Sequence, residues 1–184
     1  RERVVRTLRF VLESVVQEHG FFYHWVDPKT GQRAWNSEVS SVDTAWLLTG
    51  AITCDHYFND PEIRDLVRRT YERVDWKWML NGGDTLSMGW NPNTGFIEHR
   101  WDGFSEHMAM YLLAIGAPSN AIPAENWYAW KRPLYSYNGM SYVQAVPLFL
   151  HQYSQAWVDF RGKRDAVADY FKNSGLATKA HCDF

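Results

Sequence analysis

The fold is decided by Ser40–Val74, SSVDTAWLLTGAITCDHYFNDPEIRDLVRRTYERV. From about Ser40 to Tyr57 the stretch is apolar nearly all round, which predicts a helix that is buried on most sides. Asp60 and Pro61 then predict an N-cap and a first helical turn. After them, one apolar stripe alternates with charged residues, which is typical of a helix with one face in solvent. An inner helix followed by an outer helix is the unit of a helical hairpin.

The same alternation continues on both sides of this stretch. The other predicted helices are, in order, 4–19 with Gly20 as its stop, 105–115, a short one after Pro123, 146–160 and 163–173. Fully apolar helices alternate with one-faced helices, and no segment is long enough or rich enough in β-branched residues to build a core sheet. We therefore predict an all-α fold of helical hairpins, wound as a solenoid or closed into a toroid. The chain shows no repeat of fixed period, which argues against a repeat array.

Composition excludes several classes of protein. The 184 residues carry a net charge of −2 and no basic run, so we expect no nucleic-acid partner. No apolar stretch reaches the roughly 20 residues of a membrane-spanning helix. The histidines are scattered without metal-ligand spacing and the two cysteines form no disulfide framework, so we expect neither a metal nor another cofactor. Aromatic residues are abundant, with 10 each of Trp, Tyr and Phe, and many lie in loops beside carboxylates.

Three acidic residues stand where long loops meet the predicted inner helices, namely Glu38, Asp43 and Glu106. Hydrolysis of a glycosidic bond needs two carboxyl groups, one to protonate the leaving oxygen and one to act as base or nucleophile. A different interpretation is helix capping, since acidic residues in a first turn complement the helix dipole. For Asp43 in particular, with Ser40 and Ser41 close by, both interpretations stay open.

Other loop residues have the character of sugar contacts. Trp35, Trp90 and Trp101 lie in the same loops, and flat indole rings can stack on the apolar faces of sugars, although local packing of a long loop is the alternative. His151, Gln152 and Tyr153 begin the polar face of the predicted 146–160 helix, which either pairs internally or faces a cavity. For Asp159 we predict a structural ion pair with Arg161 or Arg164.

Several of these stretches resemble the bacterial glucoamylase-like domain family, which includes endo-β-1,2-glucanases and a domain of cyclic β-1,2-glucan synthases. The matching stretches follow the family's order over almost the whole chain: Gly20–Trp25, Asn36–Ala45, Trp101–Glu106, Tyr111–Gly116, Leu148–Ser154, Trp157–Arg161 and Asn173–Ser174. The resemblance implies an (α/α)6 toroid and a bacterial, periplasmic or secreted protein. It also implies a glycan-binding cleft at the end of the toroid where Glu38 and Glu106 collect.

Together with the acidic and aromatic loops, the resemblance predicts a glycoside hydrolase acting on a β-glucan, with an oligo- or polysaccharide as its partner. Glu106 is the favoured acid, and Glu38 and Asp43 are its partner or supporting carboxylates. The predicted sugar contacts are Trp35, Trp90, Trp101, Asp102, Gln152 and Tyr153. Two alternatives remain: a glycan-binding toroid without catalysis, and a polysaccharide lyase that uses Tyr and Arg on an acidic sugar.

The family domain is about twice as long as this chain, and Gln155 stands where the family pattern has a His. We therefore expect residues 1–184 to be part of a toroid, about its N-terminal half, with Asn173–Thr178 as the loop before another inner helix. In that case the second catalytic carboxylate can lie beyond residue 184. A half-ring leaves apolar helix surface without a neighbour, so we expect a second copy or another polypeptide to cover it.

Overall fold

A computed structural model describes residues 1–183, so Phe184 at the end of the predicted domain lies outside the described residues. The helices are α1 (Glu2–Glu13), α2 (Ser41–Phe58), α3 (Pro61–Glu72), α4 (Trp76–Leu80), α5 (Met108–Ile115), α6 (Phe149–Gln152) and α7 (Tyr170–Asp183), with 3-10 turns at Ala124–Tyr128 and Tyr153–Ala156. The strands are β1 (Gln17–Glu18), β2 (Phe21–Phe22), β3 (Val39–Ser40), β4 (Gly89–Asn91), β5 (Gly95–Phe96), β6 (Leu134–Tyr137) and β7 (Met140–Val143). None of the described helices combines the length and the apolar character needed to cross a bilayer.

The predicted alternation of inner and outer helices is present in the first half of the chain. Outer helices α1 and α3 pack on each other through one apolar face each, where Val5 and Leu8 join Ile63 and Leu66 in one buried cluster. Inner helix α2 lies between α3 and α5. Helix α5 is buried over most of its length, as its apolar sequence predicts.

The cap at Asp60 is as predicted. Its side chain accepts hydrogen bonds from the backbone N–H groups of Glu62 at 3.0 Å and Ile63 at 3.2 Å, and Pro61 occupies the first helical position. Satisfying these two amides typically stabilises a helix by about 1 kcal/mol. The preceding helix α2 ends at Phe58 with Asn59 in the left-handed conformation, within one residue of the predicted end.

The prediction of a helix over 4–19 is wrong at its C-terminal end. Helix α1 stops at Glu13, and the chain then forms the β1–β2 hairpin. Gly20 therefore ends no helix. It is needed because its φ is +84° and because a Cβ there would overlap the carbonyl oxygen of Arg73.

Three predictions in the last third of the chain are also wrong. The predicted helix 146–160 is reduced to α6 and the 3-10 turn after it. The predicted helix 163–173 is mostly loop, because the Asp165 side chain accepts hydrogen bonds from Val167 and Ala168 and closes a turn. Helix α7 instead begins at Tyr170, so Asn173–Thr178 is helical and not a loop.

Three small antiparallel sheets, which the sequence analysis did not predict, hold the loops in place. Strands β1 and β2 form one pair, β6 and β7 another, and β3, β4 and β5 form a three-stranded sheet in that order. In the last of these Val39 pairs with Trp90 and Trp90 with Phe96. Because β3 runs directly into α2, this sheet fixes the point at which the chain enters the inner helix.

Candidate functional site

Trp101 connects the beginnings of the two inner helices α2 and α5. Its indole Nε1 donates a hydrogen bond to Oγ of Ser41, the first residue of α2, at 2.9 Å. Its ring lies 5.6 Å from the ring of His107, the residue that precedes α5. The N-terminal ends of the two helices therefore lie side by side. We call residues 24–40 the first carboxylate loop and residues 97–107 the second carboxylate loop.

The first carboxylate loop and the first turn of α2 present a chain of polar groups. Nδ1 of His24 lies 2.8 Å from Oε1 of Glu38, and Nε2 of the same ring lies 3.8 Å from Oδ2 of Asp43. The Oγ of Ser40 donates a hydrogen bond to that Asp43 oxygen at 2.5 Å. The backbone joins the same partners, because the N–H of His24 donates to the carbonyl of Glu38 at 2.8 Å. One imidazole thus stands between two carboxylates.

The surroundings of Glu38 favour its ionised form. Partial burial acts to raise the pKa of the Glu38 carboxyl, but hydrogen bonds from its own backbone N–H and from His24 act in the opposite direction, as do the charges of His24 and Arg33. The balance leaves the pKa of Glu38 below its usual range. A carboxyl group held in this way is ionised and has no proton to donate as a general acid, but it suits a base, a nucleophile or an electrostatic stabiliser.

Glu106 is held differently in the second carboxylate loop. Its carboxylate accepts a hydrogen bond from Oγ of Ser105, its neighbour in the chain. Its backbone carbonyl accepts one from Oγ of Ser154 at 2.5 Å. The Ser154 Oγ in turn accepts a hydrogen bond from the N–H of Ala109 at 3.1 Å. The backbone around Glu106 is therefore fixed, while the half-buried carboxyl group has no cation within salt-bridge distance among residues 1–183.

Directly after Glu106, the His107 ring is fully buried. Burial and the nearby charge of Arg132 lower its pKa to about 3, so the ring is neutral at physiological pH. It packs between the rings of Trp101, Tyr111 and Trp130, at centroid distances of 5.6, 5.1 and 4.9 Å. His107 is therefore a packing residue beneath the carboxylate rather than a group that faces solvent.

The predicted aromatic contacts fall into two groups. Trp35 is 82% exposed and lies edge-on to Trp25, which is 50% exposed and stacks on His24 at 4.8 Å. These open rings beside Glu38 could stack on a sugar. Trp90 is half-buried against Trp78, and Trp101 is only 8% exposed. The interpretation of Trp101 as an open stacking surface is corrected: its indole joins α2 to α5.

Of the remaining predicted residues, Asp102 lies in the second carboxylate loop, and Gln152 and Tyr153 lie where α6 meets the 3-10 turn. Asp102 is exposed and 3.9 Å from the Lys131 ammonium, Gln152 is exposed, and the Tyr153 ring packs edge-on against Trp46. Ser40 and not Asp43 caps α2, because its Oγ accepts from the N–H of Asp43, whose own carboxylate lies in the first turn. The predicted ion pair of Asp159 with Arg161 is confirmed, at 2.8 Å.

Sequence reasoning assigned no role to His24 and Trp25. Both belong to the stretch Gly20–Trp25, which carries part of the family resemblance, but a histidine beside a tryptophan has no spacing that predicts chemistry. Their role becomes visible only when the bridge between Tyr23 and Val39 brings the two ends of the loop together. Within residues 1–183 no set of three or more His, Cys, Asp or Glu side chains is arranged to hold a metal ion.

Comparison with known proteins supports the resemblance seen in the sequence. A family model described as "Putative glucoamylase" matches residues 98–184, which include Glu106 and all but the first residue of the second carboxylate loop. The resemblance to the glucoamylase-like family is confirmed. An exo beta-1,2-glucooligosaccharide sophorohydrolase (non-reducing end) from Parabacteroides distasonis is 27% identical over 221 residues, covering 97% of this chain and 30% of that protein.

Solved structures of glucoamylase-like relatives confirm the predicted fold class, helical hairpins of an (α/α)6 toroid. A beta-1,2-glucanase from Parabacteroides distasonis superimposes with a TM-score of 0.87 at 25% identity, covering 98% of this chain and 32% of that one. An endo-beta-1,2-glucanase from Chitinophaga pinensis, solved with sophorotriose and glucose, gives 0.89 at 24% identity, covering 99% of this chain and 49% of that one. The chain thus spans about half or less of the length of these relatives.

Proposed function

We propose that the protein is a glycoside hydrolase acting on a β-linked glucan, of the β-1,2 type. The observation that carries this proposal is the position of Glu38, Asp43 and Glu106 at the adjoining N-terminal ends of α2 and α5. Two carboxyl groups on one cleft are what hydrolysis of a glycosidic bond needs. The β-1,2 linkage is proposed because the similar Parabacteroides distasonis proteins are named as a beta-1,2-glucooligosaccharide sophorohydrolase and a beta-1,2-glucanase.

In this proposal Glu106 is the general acid that protonates the leaving oxygen. A general acid must carry a proton in part of the population at the working pH, and a carboxyl without a cation beside it allows that more readily than a paired one. Glu38 is its partner, as base or stabilising anion, because its environment keeps it ionised. Asp43 supports Glu38 through His24 and Ser40.

The sugar contacts in this proposal are the exposed and half-exposed side chains around the two carboxylate loops. Trp35 offers the most open aromatic face, with Trp25 beside it. Trp90 lies on the strand paired with Val39, immediately after Glu38 in the chain. Trp101 shapes the cleft from below, and Asp102, Gln152 and Tyr153 supply the polar groups.

A panel assay with the replacement Glu106→Gln tests the proposal. The protein is incubated with β-1,2-, β-1,3- and β-1,4-linked glucans, and release of reducing ends is measured beside the variant. We expect hydrolysis of the β-1,2-linked glucan and loss of that activity in Glu106→Gln. No hydrolysis of any glucan by the unaltered protein, or equal activity in the variant, would contradict the proposal.

The second candidate function is glycan binding without hydrolysis, which the exposed pair Trp25 and Trp35 favours. Calorimetric titration with β-1,2-glucan fragments separates the two functions. Binding without release of reducing ends supports the second candidate, and release supports the first.

We also propose that residues 1–184 are part of a larger toroid, in a periplasmic or secreted protein, and that other helices cover the groove between α1 and α2. This groove has a volume of about 400 Å³ and is lined mainly by apolar side chains, among them Val4, Leu8, Trp46 and Leu47. The further half of a toroid or a second copy of the chain would remove this surface from water. Light scattering on the isolated chain tests it: a well-behaved monomer with full activity would contradict the proposal.

A further inference from the structure

His24 lies where two separate parts of the candidate site meet. Glu38 belongs to the end of the first carboxylate loop, whereas Asp43 belongs to the first turn of α2. The His24 ring reaches both, with Nδ1 2.8 Å from Glu38 and Nε2 3.8 Å from Asp43. Two carboxylates this close to a shared group repel each other, and a donor placed between them reduces that repulsion.

The ring is held in this orientation from three directions. The N–H of His24 donates to the Glu38 carbonyl at 2.8 Å, and Tyr23 forms a bridge with Val39, so the backbone is fixed beside Glu38. Trp25 stacks on one face of the imidazole at 4.8 Å and 12°. Rotation of the ring would break the Glu38 contact and the stacking together.

We propose that His24 is a positioning residue that holds the Glu38 and Asp43 carboxylates in the arrangement the glycosidic reaction requires, an inference that rests on the proposed function. Its Nδ1 lies beside Glu38 and its Nε2 beside Asp43, so it acts through these carboxylates although its side chain is 39% exposed. The charged groups around the ring are Glu38 and Asp43, with Arg33 acting on Glu38. Misplacing a reacting group by about 1 Å costs on the order of a hundredfold in rate, which sets the scale of the expected effect.

Two replacements of His24 separate its polar role from its packing role. His24→Phe keeps an aromatic ring for Trp25 but removes both nitrogen contacts. His24→Asn keeps a short side-chain N–H near the position of Nδ1 and loses the contact with Asp43. The matched control is His56→Phe on the exposed last part of α2, and unchanged circular dichroism shows that each variant is folded.

We expect His24→Phe to lower kcat for β-1,2-glucan by about tenfold to a hundredfold with KM within about threefold, and His24→Asn to recover part of that loss. The acid side of the pH–kcat profile should move to higher pH in His24→Phe, because Glu38 loses the partner that favours its ionised form. A kcat within twofold of the original in His24→Phe, or no recovery in His24→Asn, would overturn the proposal.

A second measurement does not depend on activity. Carboxyl carbon-13 NMR follows the titration of Glu38 in the unaltered protein and in His24→Phe, and we expect the pKa of Glu38 to rise in the variant. If no protein hydrolyses any glucan but this rise is seen, the proposed function fails while the positioning stands. An unchanged Glu38 titration overturns the positioning itself.

Discussion

The two carboxylate loops occupy equivalent places at the beginnings of inner helices, but different forces fix them. The first is held by contacts between polar groups near the surface. His24 contacts the carboxylate of Glu38, and Ser40 donates to the carboxylate of Asp43. The second is held by burial. Phe104 stacks parallel to Tyr170 at 6.0 Å, and the side chains of Trp101 and His107 are buried. Equivalent positions therefore place their carboxyl groups in different surroundings, as the proposed acid and its partner need.

The largest effect on activity is expected from Glu106→Gln in the second carboxylate loop. If Glu106 is the acid, its loss should lower kcat by about a thousandfold, close to 4 kcal/mol of barrier, because the other carboxyl groups of the second carboxylate loop, Glu98 and Asp102, stand further from the start of α5 in the chain. Reducing-end assays measure the loss. The control is Glu98→Gln, an exposed residue of the same loop, which should stay within twofold. Equal losses in both variants would assign the effect to the loop and not to the acid.

Glu38→Gln should have a smaller effect, a decrease in kcat of about a hundredfold, since general base or electrostatic help is worth about that much. The amide can still accept a hydrogen bond from His24, so the fold should persist. Steady-state kinetics beside thermal unfolding checks both points. A larger loss than that of Glu106→Gln would reverse the two roles.

As pH decreases, the buried histidine of the second carboxylate loop should lower the stability of the fold before Glu38 of the first loop does. The pKa of His107 is lowered to about 3 in the folded protein and returns to its ordinary value near 6.5 on unfolding. The unfolded chain therefore binds the extra proton between these values, and stability falls as pH decreases, by about 1.4 kcal/mol per pH unit. The pKa of His151 is lowered by burial too, which adds in the same direction.

Urea unfolding between pH 6.5 and 4.5 measures this slope. Glu38 adds to the pH dependence of stability only below that range. Its folded pKa lies under the ordinary value of 4.5, so its stabilisation is present above 4.5 and is lost as pH falls through the folded value. A His107→Leu variant should have a shallower slope whatever its stability at pH 7. An unchanged slope would show that the buried ring is not the cause.

The smallest expected effect concerns the connection between the loops. Trp101→Phe removes the hydrogen bond from Nε1 to the Ser41 hydroxyl but keeps most of the buried ring, so we expect a loss of about 1 kcal/mol in the free energy of unfolding. Trp157→Phe, at a ring that is 41% exposed, is the matched control. Urea titration measures the free energy of unfolding of both variants. The difference between their losses gives the effect of the Trp101–Ser41 hydrogen bond, apart from the general cost of replacing an indole.

Sequence patterns predicted the elements whose cause is local. The stripe of α3 and its cap at Asp60 specify a helix without help from the rest of the chain, and α5 is apolar enough to be recognised as buried. Glu38, Asp43 and Glu106 were identified because they precede such helices. The two small hairpins and the β3–β5 sheet escaped prediction because strands of two to four residues show no periodicity.

The last third of the chain could not be predicted because distant contacts decide it. Asn173 and Ser174 look like loop residues, yet inside α7 the Asn173 side chain accepts from the N–H of Val143 at 2.6 Å and the Ser174 hydroxyl donates to the His151 carbonyl at 2.8 Å. No role was predicted for His24 for the same reason, since its partners Glu38 and Asp43 come from other parts of the sequence.

The buried guanidinium of Arg132 links the second carboxylate loop to the last helix of the chain. Lys131, its neighbour, pairs with Gly103 of the second carboxylate loop, while Arg132 lies 3.3 Å from the centre of the Trp130 ring and donates to the Tyr170 hydroxyl, 38 residues away. Closing the chain over that separation costs conformational entropy, which these contacts offset. The position of Glu106 therefore depends on a residue of α7, although the two residues lie far apart in the sequence.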